Sequence, residues 1–461
     1  MTHLRHTAVA LATAVTGLGV PLLATSPAYA AGPTCAGQPA TIVGTAKADH
    51  LVGTAGRDVI VALGGNDTVE GRGGDDVICG GDGGDHVWGG AGDDLVHGGA
   101  RADRLVGGDG ADRLFGDDGT DALTGNGGAD RLYGGADATG LDRGGDWKRG
   151  DVLDGGWGDD YLDTGWDRSR YDELYRPDTV SYAGATRTVR IDLSRATTTV
   201  RGSATGQGAD TIAWHPELQV TGSSYDDVLT GSAGRDLLWA GKGDDTVVGN
   251  GGNDQLSGDD YQLPADSDTI DGGAGSDEVY SYSGADTVDS GTGADTVTAY
   301  ETKPLQVTTG AGDDSVFVDY GPSSGRLKGS AIALGAGYDT VYLSAGDDAG
   351  KIPQGSYAID NAAGSITHTV DGTSTTATLS GGERFYFLDF GARLRFSGTD
   401  EAEWLQDQGR ALHAVMGGGD DYVESFGSSD YVDGGPGEDT DHAGGGDDTC
   451  VNVEHRGSCH Q

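Results

Sequence analysis

The 461-residue chain carries 86 glycines and sets 74 acidic against 29 basic side chains, for a formal charge of −45. A surface this acidic repels nucleic acid and anionic membranes and selects cations as partners. Only 35% of residues are hydrophobic, too few and too evenly spread for a conventional globular core, so folding without counter-ions is expected to be marginal.

Residues 1–30 place Arg5 ahead of an apolar run from Ala8 to Ala24 and end in Ala28-Tyr29-Ala30, the pattern of a secretory signal peptide. Gly17, Gly19 and Pro21 interrupt the run, and it is too short for a membrane span. The expected location is therefore extracellular. Four cysteines, Cys35, Cys79, Cys450 and Cys459, are an even number in an exported chain and imply disulfides with three connectivities open. Pairing Cys35 with Cys79 and Cys450 with Cys459 would staple the two ends of the chain. Residues 31–43 read as an N-terminal cap.

From Gly71 to Tyr133 the sequence falls into nines: GRGGDDVIC, GGDGGDHVW, GGAGDDLVH, GGARADRLV, GGDGADRLF, GDDGTDALT and GNGGADRLY. Glycine takes position 1 and most of positions 2 and 4, aspartate position 6, and an aliphatic residue position 8. Glycine admits a six-residue turn through positive φ. Position 6 then puts a carboxylate at the turn's exit, and position 8 starts a strand with its side chain inward. A disordered Gly/Asp linker gives no reason for Ile, Val or Leu at every ninth residue. Two nonads close one 18-residue coil, so every second loop stacks on the same edge. Carboxylates and freed carbonyls between such loops are hard oxygen donors suited to Ca²⁺.

A first roll, 44–165, has position-6 residues Asp67, Asp76, Asp85, Asp94, Asp103, Asp112, Asp121 and Asp130, resuming after an insert at 137–150 with Asp151 and Asp160. Asp49 and Asp58 extend the register backward through loops poorer in glycine, where weaker metal binding is expected. Residues 166–221 lose the nonads and read as wider β coils, with Asp210 in a degenerate repeat. A second roll, 222–300, carries Asp227, Asp236, Asp245 and Asp254, then Asp268, Asp277, Asp286 and Asp295 after an insert at 259–267. Residues 301–415 hold isolated units at Asp314, Asp339 and Asp348 and a further β-like stretch, with one short helix expected over 404–413. A third roll, 416–449, carries Asp421, Asp430, Asp439 and Asp448 ahead of a disulfide cap at 450–461.

These motifs resemble the haemolysin-type calcium-binding repeat, or RTX, family, over most of the chain beyond the leader. CAGQPATIVGT at 35–45, DTVSYAGATRTVRIDL at 178–193 and the closing cysteines are similar to the secreted calcium-binding RTX proteins of actinobacteria. The resemblance implies an all-β fold, a parallel β-roll or β-helix solenoid built from nonapeptide repeats, with wider irregular β coils between rolls. It implies many Ca²⁺ ions held by the position-6 aspartates and neighbouring carbonyls. One hard cation per pair of stacked loops gives about 14 sites.

Other chemistry finds little support. The eleven histidines never form H-E-x-x-H. Gly321-Pro322-Ser323-Ser324-Gly325 matches a nucleophile-elbow string, but its proline and glycines argue for an ordinary turn. Arg149-Gly150-Asp151 is better explained by Asp151 as a repeat position than as an adhesion signal. Adjacent carboxylates such as Asp93-Asp94 supply neither a cleft nor the separation that glycosidases need, and position 5 is expected to be a solvated charge. The reading is a secreted, non-catalytic calcium-binding protein. The alternatives are a carbohydrate-active or hydrolytic enzyme with its site in 166–221 or 349–415, and a calcium-stiffened adhesion or matrix protein with a cell-surface partner.

Overall fold

The computed structural model describes residues 32–136, 150–165, 177–195, 201–205, 208–213, 218–259, 266–282, 284–300, 304–319, 328–344, 355–370, 373–388, 393–427, 429–442 and 444–457. The leader, the insert with Trp147 and Arg149, the string around Ser323, Asp348 and Cys459 lie outside them. Every regular element among the described residues is a β-strand.

Each nonad supplies one strand, and successive nonads alternate between two parallel sheets. In the first sheet Val59–Gly64, Val77–Asp82, Leu95–Ala100, Arg113–Asp118 and Arg131–Ala136 stack in order. In the second, Thr68–Gly73, His86–Ala91, Arg104–Asp109, Ala122–Gly127 and Val152–Trp157 do the same. Pairing is offset by one 18-residue coil, as in Leu105 opposite Leu123, and by 30 where the 137–149 insert intervenes, as in Leu123 opposite Leu153. The register is in phase on either side of the insert.

The core is a file of position-8 side chains between the two sheets. Ile60, Val69, Ile78, Val87, Val96, Leu105, Leu114, Leu132, Leu153 and Leu162 are all fully buried, each contributing about 2 kcal/mol from apolar burial. Glycine suits the close approach where loops stack. Gly110, at position 4, has φ +136°, and a Cβ there would stand 2.2 Å from the Gly92 carbonyl oxygen of the loop one coil earlier.

Twice the first sheet takes in an antiparallel meander. Arg190–Asp192, Arg201–Thr205 and Ala209–Ala213 form one, and Gly355–Asp360, Ser365–Val370 and Thr373–Ser380 the other. In each, the last strand pairs in parallel with the preceding coil and the first strand with the following one: Ala209–Ala213 on Tyr161–Gly165, and Arg190–Asp192 on Val228–Thr230. The chain thus doubles back inside the sheet while the second sheet proceeds coil by coil. The core beside the second meander is aromatic, with Tyr357, Phe385, Phe387 and Phe396 buried.

Two sequence expectations need correction. Residues 404–413 form no helix. Trp404–Asp407 and Ala411–Val415 are strands that turn Leu405 and Leu412 inward, paired with Tyr422–Ser425 and Tyr431–Asp433. The apolar spacing that suggested a helix is the alternation of two short strands, with the turn between them held by the Gly409 amide donating to Asp407 Oδ1 at 2.8 Å. The Cys35–Cys79 disulfide forms, with Cα atoms 5.7 Å apart, but it does not close the open end. The hairpin Thr34–Cys35/Gln38–Pro39 lies over the outer face of the first sheet. Cys35, Val59, Val61 and Val77 make a second small core there, with Ala40, Cys79 and Leu95 against it. Cys450 is disulfide-bonded.

Candidate metal sites

Each strand is entered through a position-6 residue, so the coil geometry lines these residues up along two edges. All twenty-two position-6 aspartates assigned from the sequence, from Asp67 to Asp448, are buried, none more than 4% exposed. Through Oδ1 each typically accepts the backbone amide of the acid one coil earlier. Asp76 donates to Asp94, Asp94 to Asp112 and Asp112 to Asp130, each at 2.8 Å. The other edge runs Asp67, Asp85, Asp103, Asp121 at 2.7–2.8 Å.

The ladders cross the inserts. Asp121 donates to Asp151 and Asp130 to Asp160; Asp245 donates to Asp268 and Asp254 to Asp277. Asp151 is therefore a ladder residue.

Several members stand outside the ligand set assigned from the sequence, Asp210 having been placed only in a degenerate repeat. Asp178 and Asp210 accept from Asp151 and Asp160. Glu383 accepts from Asp339 and Glu454 from Asp439, and Glu403 donates its amide to Asp421. A register search that admitted glutamate would have found Glu403, which stands 18 residues before Asp421 and two before the buried Leu405.

Position 5 also differs from expectation. Asp75 and Asp93 are exposed, yet Asp75 accepts the Asp93 amide at 3.0 Å and Asp93 accepts the Ala111 amide at 2.8 Å. This outer ladder runs opposite to the inner one, the later loop donating to the earlier carboxylate. Each is an exposed hydrogen bond worth about 1 kcal/mol.

The inner carboxylates are half satisfied. Oδ2 of Asp67, Asp76, Asp85, Asp94, Asp103, Asp112, Asp121, Asp130, Asp160, Asp245, Asp254, Asp277, Asp295, Asp314, Asp339, Asp421, Asp430 and Asp439 is buried with no hydrogen-bond partner. These oxygens face further oxygens. A Cβ built on Gly89 would lie 2.4 Å from Asp94 Oδ2 and 2.8 Å from the Gly107 carbonyl oxygen of the next coil; Gly116 meets Asp121 Oδ2 and the Gly134 carbonyl in the same way, at 2.3 and 2.4 Å. Among the described residues no three His, Cys, Asp or Glu side chains converge as a side-chain metal centre. The donors at each step are instead one carboxylate and stacked main-chain carbonyls, an anionic all-oxygen set that fits a hard cation.

Burial without that cation raises the carboxylates' pKa. Asp94, Asp121, Asp130, Asp160, Asp245, Asp254 and Asp421 are pushed up to about 7, and Asp103 and Asp268 to about 8. Loss of solvation is the main cause, opposed by the ladder amide and reinforced by neighbouring carboxylates. Burying an unpaired carboxylate costs several kcal/mol, more than the ~2 kcal/mol returned by the nonad's inward side chain. An ion bound at Oδ2 would supply the missing positive charge.

These features define a parallel β-solenoid edged by stacked, half-satisfied carboxylates. The RTX calcium-binding nonapeptide repeat model matches overlapping segments from 43 to 139, then 150–169, 221–256, 265–297 and 417–441. These segments of the chain are RTX calcium-binding nonapeptide repeats. No curated protein matches it.

Asp94→Ala is expected to remove one inner carboxylate and weaken calcium binding by at least tenfold in the loops shared with Asp76 and Asp112. Asp93→Ala should cost about 1 kcal/mol of local stability and leave affinity near that of the parent. Calorimetric calcium titration with hydrogen exchange over 71–130 compares them; equal losses of affinity would show that the coordinating position is misassigned.

The raised pKa values also fix a pH dependence. In the ion-free fold burial pushes these aspartates up to about 6 to 8 from an ordinary 3.8, so the folded state binds more protons than the unfolded chain between those limits. That contribution is complete below about pH 4 and is lost as pH rises through 6 to 8. In chelator, β structure should therefore be regained as pH falls from 8 to 5, and calcium binding near pH 7 should release protons. Loss of β structure on acidification over this range would contradict the assignment.

Proposed function

We propose that the protein is an exported, non-catalytic calcium-binding protein whose solenoid is completed by a file of Ca²⁺ ions along each edge. The observation that carries this reading is the row of buried, unpartnered Oδ2 atoms, which recurs from Asp67 to Asp439. A site built once serves a local purpose, whereas a site built into most coils makes the ion part of the fold. The signal-like leader and the Cys35–Cys79 bond support export to an oxidising, calcium-rich compartment. No described helix is long and apolar enough to cross a membrane.

One hard cation per stacked loop pair gives about 14 ions, and the Asp245–Asp268 and Asp254–Asp277 steps add pairs that the 18-residue spacing alone leaves out. Excess chelator at pH 8 should abolish most of the far-ultraviolet β signal, and elemental analysis of the calcium-loaded chain should find on the order of a dozen ions. Full β structure in chelator, or one or two ions per chain, would refute this.

A second reading rests on one surface feature. A shallow concavity of about 420 Å³ on the outer face of the second sheet is lined by Tyr338, Arg384, Tyr386, Glu403, Trp404 and Tyr422, among others. The Arg384 guanidinium lies 4.3 Å from the Tyr338 ring centre and 5.4 Å from that of Trp404. Rings beside a cation and carboxylates suit a saccharide. Glu403 Oε1 is committed to Thr399 and Asn361, which favours binding over acid–base chemistry. Titration of the chain with neutral and uronic oligosaccharides should shift its tryptophan fluorescence, an effect lost in Trp404→Ala; no shift with any of them would remove this reading.

A further inference from the structure

The unmet Oδ2 is not universal: Asp210 is met by the Tyr182 hydroxyl, and Asp151, Asp268, Asp286 and Asp448 also lack it. In four aspartate loops position 2 is serine or threonine, and that residue serves its own carboxylate. Thr45 donates its amide and hydroxyl to Asp49 Oδ2 at 2.5 and 2.8 Å, and Thr54 does the same to Asp58 at 2.7 and 2.9 Å. Ser232 gives both donors to Asp236 Oδ2 at 2.6 and 2.9 Å. Ser223 directs its amide to Asp227 Oδ2 at 2.5 Å and its hydroxyl to Oδ1 at 2.9 Å. None of these four aspartates has a buried unpartnered oxygen.

No loop with an unmet aspartate has serine or threonine at position 2. There the residue is glycine, or Leu63, Arg72, Asp117, Asn126, Asn250 or Phe426. The backbone separates most members of the two classes as well, Gly335 and Phe426 being the exceptions. Arg72, Asp117, Asn126 and Asn250 have φ between +70° and +79°, and Gly90, Gly99 and Gly108 between +120° and +127°. The four hydroxyl residues are not among the positive-φ positions. In the ordinary φ region the position-2 amide can turn onto the carboxylate four residues on in its own nonad, where it takes the direction a cation would otherwise fill.

The four loops come in two consecutive pairs. Thr45 and Thr54 supply both turns of the coil that opens the first roll, and Ser223 and Ser232 both turns of the coil that opens the second. The third roll follows the same Gly-Thr pattern at Thr399, but Glu403 keeps Oε2 buried and unmet, so it stands outside the inference. Within the second roll Asp286 is served differently, by the position-1 hydroxyl of Ser281 at 2.5 Å.

We propose that the hydroxyl at position 2 decides which loops of this chain require calcium, and that the coils at 44–61 and 222–239 fold without it. This rests on the calcium reading given above and refines it. Each ion-free coil presents a formed edge of amides and carbonyls to the next coil. Adding a coil to a formed neighbour avoids the cost of starting one, so calcium-driven folding runs from these coils toward the C-terminal end of each roll.

Hydrogen exchange of the full-length mature chain at pH 8, in chelator and in calcium alone, tests the proposal. In chelator, amides in 44–64 and 222–241 should exchange at least tenfold more slowly than those in 86–136, and calcium should bring all of them to slow exchange. The 222–241 segment contains no cysteine, so its protection is independent of any cross-link. The double variant Ser223→Gly with Ser232→Gly should raise exchange of 222–241 in chelator to that of 86–136, while calcium restores it with one or two additional ions bound. Uniformly fast exchange of all three segments in chelator, with recovery in calcium, would overturn this proposal and leave the calcium reading standing. Slow exchange of 86–136 in chelator would instead overturn the calcium reading itself. The wild-type pattern decides between these outcomes whatever the double variant does.

Discussion

The structure depends on a carboxylate that the fold satisfies on one oxygen only. Asp94 receives the Asp76 amide on Oδ1 and meets no donor on Oδ2. That half-satisfied state follows from parallel stacking. Strands one coil apart present carbonyls and amides in strict alternation, and the position-6 side chain can reach one amide of its neighbour but has no second within range. The remaining oxygen shares its pocket with carbonyl oxygens, which repel it. Only a proton, a local hydroxyl-and-amide pair or a bound cation removes the conflict. The chain provides for the second at Thr54 and Ser232, and nearly everywhere else it leaves the conflict to an ion.

The other position preferences follow from the same constraint. Position 1 is small in most loops, where a Cβ as at Gly89 would crowd the oxygens that an ion needs, with Thr309, Leu334 and Met416 as exceptions. Position 8 is apolar in nearly every nonad, because its inward side chain supplies most of the core. Cohesion between coils also comes from outside the core. His97, Phe115 and Tyr133 stack at 4.7 and 4.8 Å along the outer face of the first sheet, and Phe317, Tyr342 and Tyr386 stack at 4.0 and 4.5 Å along the second. Such files add about 0.5–1.5 kcal/mol per contact and do not depend on the ion. Trp88 and Trp157, by contrast, stand 39% and 45% exposed.

What the sequence made legible is what repeats. The nine-residue period placed Asp94 on an edge and Leu114 in the core because both follow from spacing alone, and it carried through the inserts because the repeats on either side of each stay in phase. Glu383, Glu403 and Glu454 escaped notice because the period was sought in aspartate, although glutamate reaches the same amide. The meanders at 190–213 and 355–380 were readable as β structure from their alternation. Their reversed order in the sheet was not, since strand order depends on contacts far apart in sequence. Residues 404–415 misled for a physical reason: Leu405 and Leu412 lie seven apart, which suits a helix and equally suits two inward strand positions separated by a turn.

Repetition also creates a problem that the repeats cannot solve. Sliding the second sheet past itself by one coil would return each inward residue to an inward site and each Asp to another Asp, so within 71–133 registers differing by 18 residues are nearly equal in energy. A β-sheet whose register is weakly specified is prone to slip. The irregular elements break this degeneracy. Cys35 can close on Cys79 only when Val77–Asp82 is the third strand of its sheet, counted from Ile42–Val43. The first meander accepts Tyr161–Gly165 on one side and Val228–Thr230 on the other, which fixes how many coils lie between it and the disulfide. The hairpin and meanders thus set where each coil belongs, and the ladder with its cations sets how firmly it is held.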